Sequence, residues 1–392
     1  MKKYYLLILL LFPFLGIAQQ PFSLNQGGAS HEGYFTTLLY ENVRGKIIVK
    51  VTINSKSYRF IVDTGAPTMI TKAVFDELKP DILHKLPVAD ANGRKDSLTV
   101  VNLKNLSIGE VIFNDIPTLV AKDSFIFDCH RVDGFIGSNL LRNSIFSISS
   151  NGNKIILTDQ VEKLTLEKKQ GSDLILDKSQ SSPYLQVRLK GAKTGTARVL
   201  FDLGMEGLFD LALKHYAILE KENILLQLGK ATGSSTFGLH GLGRDTLSYR
   251  LRLPELQVNG AKLKNVSVNT TTSENSRLGS ELLGYGIITI DYKNKKFYFE
   301  PFKTDIDLYQ QAFPVSITFK DNKALIGIIW DESLGSQIAI NDRVVAIDDK
   351  DYANITLCDF IVGDKILGGK DKAMLTLEDS KGVIKKIEIA KK

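Results

Sequence analysis

The sequence predicts a mainly β protein built from two copies of one lobe and a small α+β module after them, and three internal matches predict it. Asp63-Thr64-Gly65 follows the apolar run Phe60-Ile61-Val62, and Asp202-Leu203-Gly204 follows Val199-Leu200-Phe201, an offset of 139 residues. Leu103, Leu106, Ile108, Phe113 and Ile116 match Leu253, Leu256, Val258, Leu263 and Val266 at an offset of 150, each set around a polar turn, Gly109-Glu110 or Asn259-Gly260. Gly137-Ser138-Asn139-Leu140-Leu141 matches Gly279-Ser280-Glu281-Leu282-Leu283 at an offset of 142. That match continues without a gap, placing Ile145, Ile148, Ile155 and Leu157 on Ile287, Ile290, Phe297 and Phe299. Three blocks in one order, with shifts that fit loop insertions, mark a duplication.

Each element has a local reason. Period-2 alternation from Ile48 to Ile53 and from Leu185 to Leu189 reads as a hairpin strand feeding each Asp strand. Helical signals are few: Ala73 to Leu78 after the first Asp turn, and Leu211 to Glu222 after the second. Residues 19–165 form the first lobe and 166–303 the second, and Tyr34 to Tyr40 reads either as an edge strand or as part of a propeptide spanning 19–44. Residues 304–392 form the appended module. Its expected strands are Val315 to Phe319, Leu325 to Trp330, Arg343 to Ile347 and Ala373 to Leu377, with a helix from Cys358 to Leu367.

Residues 1–18 stand apart. Lys2 and Lys3, the apolar run Tyr4 to Leu15 and the small residues Gly16-Ile17-Ala18 describe a secretory signal peptide, so the chain is expected to be exported, to the periplasm or the medium. No later stretch is long and apolar enough for a membrane helix. The net charge of +6 (50 minus 44) falls to +4 without Lys2 and Lys3, too small and dispersed to indicate nucleic acid as partner. No Cys/His spacing describes a metal site. Cys129 and Cys358 fall in different predicted domains and are expected to be two separate buried thiols.

An aspartate after a buried strand, placed twice, suits one chemistry. Hydrolysis of a peptide bond without metal, cofactor or covalent nucleophile needs a base for water and an acid for the carbonyl oxygen. Two facing carboxylates supply both when they share one proton, because close like charges do not both ionise cheaply. The charged member is then the base and the protonated member the acid. Asp63 and Asp202 are the catalytic candidates. Gly65 and Gly204 permit a tight turn and close approach, and Thr64 can hydrogen-bond across the two-fold axis to its counterpart.

Phe60-Ile61-Val62-Asp63-Thr64-Gly65-Ala66 resembles the active-site signature of retropepsin-like aspartic proteases. Phe135-Ile136-Gly137 is similar to their downstream hydrophobic-hydrophobic-Gly element, with Gly279 at the matching place in lobe two. The duplication over residues 45–300 resembles single-chain, pepsin-like two-lobed enzymes, which implies acid-protease β-barrel lobes and a peptide substrate in the cleft between them. Flaps are expected at Ala89-Asp90-Ala91-Asn92-Gly93 and at Thr236-Phe237-Gly238-Leu239-His240-Gly241, although no Tyr lies between Gly65 and Phe113. Lobe two departs from the pattern: Leu203 stands where Thr64 stands, removing half of the expected hydroxyl pair, and Arg277 stands where Phe135 stands, weakening the second element. Three readings follow: an aspartic endopeptidase, a catalytically inactive peptide-binding protein of the same fold, or an Asp63–Asp63 dyad between two copies. The stretch Ser333 to Asp348, with Asn341-Asp342 in place of Gly-Asp, resembles a PDZ domain. That implies a peptide C-terminus bound as an added strand, although no Gly-Leu-Gly-Phe-type loop is present.

Overall fold

A computed structural model of the chain describes residues 22–89, 93, 95–122, 125–166, 171–239 and 241–392. It is mainly β, as the alternation predicts. The strand Lys46–Ile53 pairs antiparallel with Lys56–Asp63. Asn54 and Ser55 between them both take positive φ, 49° and 69°, the turn geometry whose twist suits a two-residue hairpin. Its counterpart in the second half pairs Pro183–Lys190 with Thr194–Asp202. Pro183–Lys190 alternates between buried and exposed or half-buried residues, so one face of the sheet packs inward.

Each Asp strand then gains a parallel neighbour. Gly134–Gly137 lies beside Lys56–Asp63, with Gly137 opposite Asp63. Arg277–Gly279 lies beside Thr194–Asp202, with Gly279 opposite Asp202. A further short strand closes each set: Met69–Ile70 pairs with Gly134–Gly137, and Phe209–Ala212 with Arg277–Gly279. Arg277 therefore does not weaken the second element, whose register matches the first.

The halves are joined by a sheet in the order Phe35–Leu39, Lys154–Thr158, Ile145–Ser149, Gly286–Asp291, Lys296–Pro301, Ser172–Leu176. At its middle Ser147 is opposite Thr289, whose hydroxyl donates to Ser147 Oγ at 2.8 Å. These residues are 142 apart, the offset of the sequence repeat. Repeat-equivalent residues face each other in antiparallel pairing only where a local two-fold axis passes between them. One apolar cluster, including Val62, Ile136, Phe201, Leu203 and Leu278, runs through both halves. Phe35–Leu39 takes the edge-strand place, and Leu24 is buried with its N–H on Ser179 O at 3.0 Å.

The first expected helix is present, and the other two are shorter than expected. The first is Lys72–Leu78, capped by Thr71. Residues 209–212 form a strand, so the second helix is only Leu213–Lys221. The third is only Leu357–Val362, opened by a Thr356–Asp359 capping box and ended at Gly363. No helix among the described residues is long and apolar enough to cross a membrane.

The module has its own core around Ile326, Val344, Leu375 and Leu377 and docks on both halves. Arg250 lies over the Trp330 ring at 4.4 Å and donates to Phe313 O at 2.6 Å. Arg44 of the first half donates to Gly363 O. The expectation of two separate thiols is wrong: Cys129 and Cys358 form a disulfide, their Cα atoms 4.8 Å apart. Their place in different predicted domains misled, because Leu357–Val362 packs against Phe125–His130. The bridge closes a sequence separation of 229, so it restricts the unfolded chain strongly. Cys358→Ser, or reduction by a dithiol, is expected to remove about 2–5 kcal/mol of stability, read as a lower thermal midpoint.

Candidate active site

The two Asp turns meet across the local axis. Gly65 N–H donates to Asp63 Oδ1 at 3.0 Å, and Gly204 N–H to Asp202 Oδ1 at 2.9 Å. Each carboxylate also sits over the other turn's glycine. A Cβ on Gly65 would lie 2.7 Å from Asp202 Cγ, and one on Gly204 would lie 2.5 Å from Asp63 Cγ. The turns thus interlock through space that any side chain would fill. Gly137 and Gly279 meet a similar limit: added Cβ atoms would fall 2.2 Å from the backbone of Pro67-Thr68 and of Gly207. The second glycine element therefore passes directly under each Asp turn.

Thr64 locks the turns together. Its hydroxyl donates to Phe201 O at 2.6 Å and accepts from Leu203 N–H at 3.0 Å. Both partners are backbone groups of the other lobe. The expected loss from Leu203 is therefore corrected: Thr64 needs no hydroxyl counterpart, and Leu203 is fully buried in the shared core. Behind the turn, Ser138 Oγ donates to Thr64 O at 2.8 Å and lies 2.9 Å from Tyr292 Oη. Gln180 Nε2 and Ser182 Oγ reach Gly65 O at 3.2 and 3.4 Å. On the opposite side Lys46 donates to Gly204 O, with Glu206 at 3.6 Å.

Burial and a neighbouring carboxylate dominate the electrostatics at Asp63. Burial first, then the charge of Asp202, pushes the Asp63 carboxyl up to about 7, against the pull of Lys46 and of Gly65 N–H. Arg277 brings a feature with no equivalent in the first lobe. Its Nη1 is 3.3 Å from Asp202 Oδ2, while its Nη2 and Nε hold Asp210 Oδ2 at 2.5 and 3.1 Å. Burial pushes the Asp210 carboxyl up against the pull of Arg277. Burial also works against the charge on Arg277, but Asp210 and Asp202 outweigh it and hold the guanidinium more firmly protonated. The short forked contact is that of an ionised pair.

The expected flaps divide. Ile82–Ala89 and Lys95–Leu103 form a hairpin with Ala89 opposite Lys95. Gly93, with φ +73°, lies at its turn, with nothing within 4 Å of an added Cβ; Asp90, Ala91 and Asn92 lie outside the described residues. In the second lobe Phe237–Gly238 pairs with Gly241–Leu242, and His240 lies outside the described residues. This tip is not open. Phe237 packs 5.8 Å from the Phe125 ring and 5.8 Å from the Phe360 ring, and Leu239 packs on the first-lobe cluster around Ile61 and Phe135.

Sequence reasoning brought forward both aspartates, Thr64 and the four glycines, but missed Lys46, Gln180, Asp210 and the partners of Arg277. Asp210 had a readable signal. Strand pairing sets Met69 against Phe135 and, at the equivalent place, Asp210 against Arg277. An apolar pair becomes a charged pair between repeats, and the two changes belong together.

Residues 49–140 match the family model described as aspartyl protease. No curated protein sequence matches the chain. Among solved structures, a retropepsin-like aspartic protease from Rickettsia conorii aligns at 20% identity over 32% of this chain and 90% of its own, with a TM-score of 0.23. Conglutin gamma, a basic 7S globulin from lupine seeds, aligns at 10% identity over 68% of this chain and 94% of its own, with a TM-score of 0.39. Basic 7S globulin from soybean gives 11%, 68%, 94% and 0.40.

Two outcomes test the site. Thr64→Val strands Phe201 O and Leu203 N–H in a dry interface and is expected to cost about 1–3 kcal/mol in denaturant unfolding. The raised Asp63 carboxyl makes stability fall with rising pH. The unfolded chain releases this proton near 3.8 and the folded chain near 7, so between those values the folded state binds more protons. Asp63→Asn cannot titrate there. It is expected to raise the thermal midpoint, relative to the unchanged chain, more at pH 7.5 than at pH 4.

Proposed function

We propose that this chain is an exported aspartic endopeptidase that hydrolyses peptide bonds through Asp63 and Asp202. The observation that carries the reading is the interlocked pair of Asp turns, each carboxylate over the other's glycine. In the reaction the charged carboxylate takes a proton from water as the water oxygen attacks the scissile carbonyl carbon. The protonated carboxyl gives its proton to the carbonyl oxygen. The tetrahedral carbon then collapses: one of its hydroxyls returns a proton to the carboxylate that had acted as acid, the C–N bond breaks, and the amine leaves with the proton first taken from water. The pair returns to its singly protonated form, with no cofactor consumed. The substrate is an extended peptide between the lobes. The two aspartates lie within one chain, so a second copy is not needed to complete the dyad.

Export is supported by the leader pattern of residues 1–18 and by the disulfide, which persists in oxidising compartments. The PDZ-like reading of residues 304–392 is supported by Val315–Lys320, which lies at an edge of the module's sheet among the described residues. A peptide carboxyl end adding to that edge is its expected ligand. The second reading, an inactive peptide-binding protein, is favoured by the packing of the Phe237 tip against two other segments.

The test is cleavage of a mixed peptide library by the mature chain across pH 3–8, beside Asp63→Asn and Asp202→Asn. Cleavage lost in both variants supports the dyad. Cleavage retained in either removes that carboxylate from the mechanism, and binding without turnover in the unchanged chain supports the second reading.

A further inference from the structure

The two lobes carry one architecture but treat their aspartates unequally. Beside Asp63, the paired positions on the neighbouring strands are Met69 and Phe135, both buried. Beside Asp202, the same positions are Asp210 and Arg277. Both charged side chains are largely buried, with relative exposures of 17% and 16%. Arg277 is spread over two carboxylates: a forked contact to Asp210, and Nη1 at 3.3 Å from Asp202 Oδ2.

We propose that Arg277, aligned by Asp210, is a positioning residue that polarises the dyad, fixing the negative charge on Asp202 and the shared proton on Asp63. The proposal rests on the endopeptidase reading for its chemistry, but not for its charge assignment. Asp202 becomes the base that takes the proton of water, and Asp63 the acid that protonates the carbonyl oxygen. The charged neighbourhood is consistent with this. Lys46 faces the pair from the first-lobe hairpin, but it donates to Gly204 O and lies beside Glu206. Tyr184 and Tyr292 face Asp202 and Asp63 with their hydroxyls held neutral by burial. Asp63 keeps its proton up to about 7 even with Lys46 nearby. A guanidinium in contact with one carboxylate and not the other breaks the degeneracy of a symmetric pair. The working consequence is that removing the fixed positive charge makes the charged member easier to protonate.

The first lobe supplies a conservative test. Arg277→Phe with Asp210→Met installs the pair that the fold already accommodates at the equivalent place. In the full chain, the acid limb of kcat/KM is expected to move up by about one pH unit, roughly a tenfold loss of turnover on that limb, with KM little changed. Arg277→Lys keeps a cation and is expected to hold the limb near its original position. Carboxyl ¹³C signals of Asp63 and Asp202, assigned with the two Asn variants, supply a readout besides activity. At pH 5 the unchanged chain should show a protonated Asp63 beside an ionised Asp202. Superimposable pH profiles for the unchanged chain and the double variant, or carboxyl signals that show the proton shared evenly or held on Asp202, overturn the proposal. A chain that cleaves no peptide removes the endopeptidase reading, and the carboxyl signals still decide the charge assignment.

Discussion

The carboxylates of Asp63 and Asp202 approach only because Gly65 and Gly204 offer no side chain. An added Cβ at either glycine would lie 2.7 or 2.5 Å from the opposing carboxyl carbon, well inside contact distance. The rest of the framework serves that approach. The central sheet sets the axis by pairing Ser147 with Thr289. Gly137 and Gly279 let a parallel strand run under each turn. Thr64 fastens the turns through the other lobe's backbone. That fastening tolerates change on the far side, because backbone donors and acceptors exist whatever side chain Leu203 carries. The hydroxyl fixes both turns from one side, and the freed position joins the core.

Stability does not explain Asp210 and Arg277. The first lobe shows that an apolar pair satisfies the same strand positions, and buried ion pairs are often no better than well-packed apolar replacements. What the ion pair adds is direction. A forked grip by Asp210 limits the rotation of Arg277 and aims the remaining Nη1 at Asp202. Asp63 accepts from Gly65 N–H and feels the charge of Lys46, but no cation is in contact with it among the described residues. The duplication thus keeps its symmetry in the backbone and loses it in the charges.

Much of the frame was legible because it is written in repeats. The offsets of 139 and 142 located both Asp strands and both glycine elements, and the offset of 142 is the pairing at the axis. The alternation from Ile48 to Ile53 and from Leu185 to Leu189 gave the hairpins. What escaped were properties that exist only in three dimensions. Phe135 and Arg277 could be equated from sequence, but the role of Arg277 depends on Asp210, which lies 67 residues away. The disulfide escaped for the same reason: Cys129 and Cys358 lie 229 residues apart on different domains, and only the docking of two six-residue helices brings them together. The helix expected to start at Leu211 failed because Phe209–Ala212 is claimed by pairing with Arg277–Gly279 and Ala261–Thr271, a tertiary demand that local propensity does not express.

The disulfide also bears on the second-lobe hairpin expected as a flap. Phe237 packs between Phe125 and Phe360, on helices that Cys129 and Cys358 join covalently. These supports cannot separate far while the bridge is intact, so lifting the second-lobe tip costs its aromatic and apolar contacts without relief from helix movement. The first-lobe hairpin is held lower down, where Leu86 and Val88 pack on the cluster around Ile61 and Phe135 and His84 stacks on Phe22, while an added Cβ at Gly93 would meet open space. The two hairpins are thus anchored by different contacts, an asymmetry that stands beside the unequal charges of the two lobes.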